Sequence, residues 1–149
     1  MQIFIGGIGC FWNETEYQGV PGIISTECGY CGGKNPKVSY EQICGGDTEH
    51  IEVVKVAFNP KIITYEDVTR LFFKIHNPTT LNRQDPNIGY QYRSEIFYNT
   101  EEEKKSAQTI LDEVNQKLNG AVITVIRKEK NYCKAEEYHQ KYFQKRKKR

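Results

Sequence analysis

The hydrophobic positions of this chain change period several times, and each change marks an element. Gln2 to Ile8 is an apolar run of strand length and reads as a buried strand. The turn Gly6-Gly7-Ile8-Gly9 follows, and Cys10 to Gln18 reads as a short helix. Gly22 to Thr26 reads as a second strand, running into the Gly-rich turn Gly29-Tyr30-Cys31-Gly32-Gly33. Ile51, Val53, Val54, Val56 and Phe58 form a β-branched run closed by Pro60, a third strand. Thr64 then opens a helix with Asp67 three residues on, a capping-box pattern. Val68, Leu71, Phe72 and Ile75 follow at helical spacing and should face the core. Between Asn77 and Tyr92 the pattern stops, and Pro78, Pro86 and Gly89 mark a loop. Arg93 to Tyr98 reads as a strand. Thr100 and Glu103 open a second helix whose stripe is Ala107, Ile110, Leu111, Val114 and Leu118, with Gly120 ending it. Val122 to Ile126 reads as another strand and Ala135 to Phe143 as a last short helix. This irregular alternation predicts an α+β fold: a two-layer α/β plait, a ferredoxin-like mixed sheet with helices, in one domain spanning 1–149.

Composition narrows the class. At 149 residues, 38% hydrophobic and 27% charged, the chain reads as a soluble domain able to build one core. No apolar run approaches the roughly 20 residues that span a bilayer, and Met1 to Ile5 lacks the basic start of a secretory signal. A cytoplasmic protein is the expectation, without membrane attachment. A net charge of +2 gives no argument for nucleic acid. The basic residues of 144–149 read as a solvated tail. Five cysteines, an odd number, argue against a static disulfide framework and for thiol chemistry or metal binding.

Cys10 is the leading candidate nucleophile. It stands at a predicted strand-to-helix junction, where free helix amides favour a thiolate. Phe11 and Trp12, the one tryptophan of the chain, follow it and can form an apolar wall for a methyl or thioether group. Acids and hydroxyls lie elsewhere. Glu52 sits near the start of an apolar strand, where it is either an exposed strand residue or, if buried, a carboxyl kept protonated and able to act as an acid. Glu49 and His50 read as solvated loop residues. Asn82 to Ser94 is a polar stretch with Tyr90 and Tyr92 that can supply neutral donors to a developing oxyanion. Two rival readings use other cysteines. Cys28-x-x-Cys31 has the spacing of half a zinc site, which Cys44 and Cys133 would have to complete without a second paired motif. The same pair as a redox dithiol would lie in a Gly-rich turn rather than at a helix start.

Taken in order, several segments are similar to one family. They are Gly9-Cys10-Phe11-Trp12, Gly29-Tyr30-Cys31-Gly32-Gly33, Ser39-Tyr40-Glu41 with Cys44, Asp47-Thr48 to Glu52, His76-Asn77-Pro78, Asn82-Arg83-Gln84, Gln91-Tyr92-Arg93-Ser94 and Ala135 to Gln140. The chain resembles peptide methionine sulfoxide reductase A over nearly its whole length. The resemblance implies that the Cys10 thiolate attacks the sulfoxide sulfur of methionine S-sulfoxide, free or in proteins. It implies Glu52 as proton donor, Tyr40 and Tyr92 as hydrogen-bond donors to the oxygen, and Phe11 and Trp12 around the methyl group. Cys10 would become a sulfenic acid, a second thiol would condense with it, and thioredoxin would reduce the disulfide. No metal or cofactor is implied. Asn13 stands where the family usually has glycine, and Asn87 where it usually has a carboxylate, which leaves Asn87 a neutral hydrogen-bonding role at the substrate. The family often draws its resolving thiol from the C-terminal side, and this sequence has no cysteine after Cys133. Cys133 therefore ranks first as resolving thiol and Cys31 second.

Overall fold

The computed structural model describes residues 1–7, 16–33, 50–76, 78–79, 83–84, 87–88 and 93–134. Strands β1 (Gln2–Gly7), β2 (Ile23–Cys31), β3 (Ile51–Phe58), β6 (Glu95–Tyr98), β7 (Val125–Lys128) and β8 (Cys133–Lys134) form one sheet in the order β7-β6-β1-β3-β2-β8. All neighbours are antiparallel except β6 and β7, which run parallel. A separate hairpin joins β4 (Arg83–Gln84) to β5 (Asn87–Ile88). Helices α1 (Tyr65–Ile75) and α2 (Glu101–Lys117) pack on one face of the sheet. The architecture is α+β, as the sequence predicts.

Strand side chains alternate between faces, and the burial follows that period. Phe4, Cys28, Tyr30, Val54, Val56, Phe58 and Ile96 turn to the helices, where Val68, Phe72, Ala107 and Ile110 meet them. Ile5, Cys31, Ile51, Val53 and Phe97 form a smaller cluster on the opposite face. β3 lies between β1 and β2 and is apolar on both sides, which is why its run is continuous rather than alternating. Phe4, Phe72 and Tyr65 pack ring to ring at 5.5–5.6 Å in tilted arrangements, the geometry that aromatic quadrupoles favour.

Both helices begin where their caps are. Thr64 Oγ1 accepts from Asp67 N at 3.0 Å and Thr100 Oγ1 from Glu103 N at 3.1 Å. Glu103 Oε1 reaches back to Asn99 N at 2.9 Å, one residue earlier than a capping box requires.

Several boundaries differ from the sequence reading. β2 does not stop at Thr26 but runs to Cys31, so Cys28 and Cys31 lie in a strand and not in a turn. Gly29 permits this, because the Tyr132 ring and the Cys133 carbonyl occupy the space a Cβ would take, at 2.6 and 2.7 Å. β7 starts at Val125 rather than Val122, because Ile123 N donates to Pro78 O (2.9 Å) instead of joining the sheet. Leu118, counted in the α2 stripe, lies beyond the helix and is exposed. Cys133 sits in β8, a strand the sequence did not signal. The predicted helix over Ala135 to Phe143 and most of the one over Cys10 to Gln18 lie outside the described residues. Among the described residues no helix is long and apolar enough to cross a membrane.

Candidate active site

The pairing registers bring four strand ends to one pole of the sheet. Gly7 at the end of β1 pairs with Glu95 at the start of β6. Cys31 at the end of β2 pairs with Ile51 at the start of β3, and Tyr30 pairs with Glu52. β1 ends three residues before Cys10, and Arg93 follows Tyr92 directly into β6. Cys10, Phe11, Trp12, Tyr40 and Tyr92 lie outside the described residues. Asn87 is described as a strand residue, paired with Gln84 across the small hairpin.

Glu52 is 3% exposed. Its parity with Val54 and Val56 turns it to the helix face. The buried alternative is therefore the one present, and burial disfavours an ionised carboxylate. Tyr30 is its neighbour on β2, and Cys133 on β8 pairs with Tyr30 in turn. Glu52, Tyr30 and Cys133 thus form one cross-strand row on the same face. Cys133 is partly buried at the margin of the core. Cys31 belongs to the opposite face, is fully buried and donates its thiol hydrogen to Lys130 O at 3.4 Å. Burial pushes the Cys31 thiol up to about 12. Cys28 and Cys31 point to opposite faces of one strand. That arrangement opposes both rival readings, since two such thiols can neither share a metal nor close a disulfide. Among the described residues no group of three or more His, Cys, Asp or Glu side chains could hold a metal ion.

His50 corrects the sequence reading. It is 1% exposed rather than solvated, because it leads into the central strand of the sheet.

The sequence reading missed a polar clamp at this pole. Arg127 donates from Nη2 to Gly32 O at 2.6 Å and lies 3.4 Å from the buried Glu95 carboxylate, its guanidinium over the Phe97 ring. Gly32 N donates to Lys130 O (2.8 Å) and Asn131 Nδ2 to Gly33 O (2.9 Å). The segment 127–131 thereby holds the turn at Gly32, whose φ of +93° needs glycine. A Cβ there would stand 2.5 Å from Arg127 Nη2. Burial raises the Glu95 carboxyl above its ordinary value, with Arg127 and Arg93 opposing. A charged residue at an inward position of an otherwise apolar strand was the available signal.

The family profile described as "Peptide methionine sulfoxide reductase" matches residues 1–149. The chain belongs to the peptide methionine sulfoxide reductase family. A relative from Pelagibacter ubique named peptide methionine sulfoxide reductase MsrA is 51% identical over 147 residues, covering 98% of this chain and all of the relative. One of the same name from Methanococcus maripaludis is 48% identical, covering 93% of this chain and 89% of its own length. Among solved structures, reduced Mxr1 from Saccharomyces cerevisiae superposes with a TM-score of 0.93 at 39% identity, covering 99% of this chain and 87% of that one. Mxr1 in complex with Trx2 matches at a TM-score of 0.66 and 26% identity, over 95% and 84% of the two chains.

Proposed function

We propose that this chain reduces methionine S-sulfoxide, free or in proteins, to methionine. The observation that carries the reading is the buried Glu52 carboxyl at the pole where β1 hands the chain to Cys10. The Cys10 thiolate attacks the sulfoxide sulfur while Glu52 delivers a proton to the oxygen. Tyr40, Tyr92 and the neutral amide of Asn87 stabilise that oxygen, and Phe11 and Trp12 receive the methyl group. The hydroxyl then passes from the substrate sulfur to the Cys10 sulfur as the transient S–S bond and the S–O bond break, so methionine leaves and Cys10 is left as a sulfenic acid. A second thiol condenses with it, releasing water and forming a disulfide, which the thioredoxin dithiol reduces.

Cys133 is the first candidate for that second thiol. It shares a face and a cross-strand row with Glu52 and is partly open, whereas Cys31 is enclosed on the other face. A protonated, enclosed thiol is a poor nucleophile, which keeps Cys31 second. The complex of the yeast neighbour Mxr1 with Trx2 supports thioredoxin as the reductant. A single-domain plait is part of the same reading, supported by the antiparallel order β6-β1-β3-β2 beneath two helices. So is a cytoplasmic setting, where thiols stay reduced.

The test compares wild type with Cys10→Ser in thioredoxin-dependent loss of methionine S-sulfoxide. Turnover in the wild type and none in the variant is expected, because serine cannot form the sulfenic acid. Turnover retained by Cys10→Ser would overturn the assignment.

A further inference from the structure

The structure assigns a positioning role to His76: with Ser94 and Thr124 it forms a clasp that closes the base of segment 77–93 and so sets the geometry of the sulfoxide site. This rests on the reductase reading, because that segment carries Asn87 and Tyr92.

The clasp is a chain of hydrogen bonds whose direction is fixed. His76 Nδ1 lies 2.5 Å from Phe72 O, and a carbonyl oxygen only accepts, so Nδ1 carries the proton. This side chain caps a carbonyl in the last turn of α1. The neutral ring then presents a lone pair at Nε2, 2.7 Å from Ser94 Oγ. Ser94 must donate there, which leaves its oxygen to accept from Thr124 Oγ1 at 2.7 Å. A neutral ring agrees with the partial burial of His76, whose desolvation lowers its pKa to about 4.

The partners of this chain hold both ends of the same segment. Pro78 O accepts from Ile123 N at 2.9 Å, and Ser94 O accepts from Val125 N at 3.2 Å. Three consecutive residues, Ile123, Thr124 and Val125, therefore splint the place where the chain leaves α1 to the place where it enters β6. Ser94 is 4% exposed and Thr124 8% exposed, so water does not readily replace either hydroxyl. Ser94 stands two residues after Tyr92 in the chain.

Two measurements test this. In ¹⁵N-labelled wild type at pH 7, the imidazole shifts should report a neutral His76 with its proton on Nδ1. A proton on Nε2 would overturn the clasp, whatever reaction the chain performs. Steady-state reduction of methionine S-sulfoxide should then show kcat about tenfold lower for Ser94→Ala and for the isosteric Thr124→Val, with KM within about twofold. Thr124→Ser, which keeps the hydroxyl, should restore wild-type kcat. Unchanged kcat in both Ser94→Ala and Thr124→Val, or failure of Thr124→Ser to restore it, would overturn the positioning role. A wild type that reduces no sulfoxide at all would sink the reductase reading, and the positioning role with it, while the ring shifts still decide whether the clasp exists.

Discussion

Gly29→Ala should be among the most damaging single-methyl changes in this protein. The added Cβ would stand 2.6 Å from the Tyr132 ring and hydroxyl and 2.7 Å from the Cys133 carbonyl, and the carbonyl is backbone that cannot rotate away. Two things must give. Tyr132 leaves its place, losing its hydrogen bond to Glu27 and the Lys55 ammonium 4.9 Å above its ring. β8 also lifts from β2, losing the Gly29–Lys134 and Tyr30–Cys133 pairings. A hydrogen bond to a carboxylate contributes about 1.5–3 kcal/mol. A partly exposed cation–π contact adds about 0.5–1 kcal/mol. The overlap itself is of the overpacking kind, costing about 1–3 kcal/mol if nothing moved. Because relief of overlap and loss of contacts are alternatives rather than sums, about 3 kcal/mol is expected. For a domain of this size that lowers Tm by roughly 6–12 °C. Circular dichroism melts measure it. Functionally, the proposed resolving thiol Cys133 rides on β8, so under that proposal recycling by thioredoxin should slow more than the first turnover of sulfoxide. A Gly29→Ala protein within about 0.5 kcal/mol of wild type would refute the reasoning, since rigid neighbours leave no cheap accommodation. So would a destabilised variant whose recycling and first turnover fall together.

Three further outcomes follow from the same geometry. Phe72→Ala empties the contact between α1 and β1, where Phe72 is fully buried against Phe4, and should cost about 3–5 kcal/mol in urea unfolding. Glu52→Gln should lower the single-turnover rate about 10²-fold or more with little loss of stability, because the amide replaces a buried carboxyl of the same shape. The His76 ring, held neutral with a pKa near 4 against an ordinary 6.5, binds fewer protons folded than unfolded between those values. Its contribution is therefore fully present above pH 6.5 and is lost as pH falls toward 4. Denaturation midpoints followed from pH 7 to 4 should drop less steeply in His76→Gln than in wild type.

The elements with strong local signals were legible in the sequence. Thr64 and Thr100 cap their helices because a β-region hydroxyl before an amphipathic run has one favourable use. β3 was legible because a central strand is apolar on both faces. That strand left Glu52 readable as exposed or buried, and its pairing with Tyr30 places it inside. What escaped depends on partners distant along the chain. β2 extends through Gly29 only because Tyr132 fills the glycine's empty side. β8 has two residues, too few for a period, and exists by pairing with Tyr30 and Gly29. The Arg127 clamp on Gly32 spans 95 residues, and the charged Glu95 in an otherwise apolar strand was its one local hint. His50 was misread for a similar reason: a polar residue next to a loop is buried by strands supplied from elsewhere.

The order β7-β6-β1-β3-β2-β8 also governs how the molecule comes into being on the ribosome. Among the described residues, both outer strands are the last two made. Until Val125 and then Cys133 emerge, β6 and β2 each present a free ladder of amides and carbonyls, the kind of edge that recruits other chains. β1, the first strand synthesised, waits for β6 to close its second side, a separation of about ninety residues that makes early folding slow. The nascent protein therefore passes through a sticky, two-edged stage that lasts until β7 and β8 are made. A chain released before β7 should partition into aggregates rather than into a smaller working enzyme.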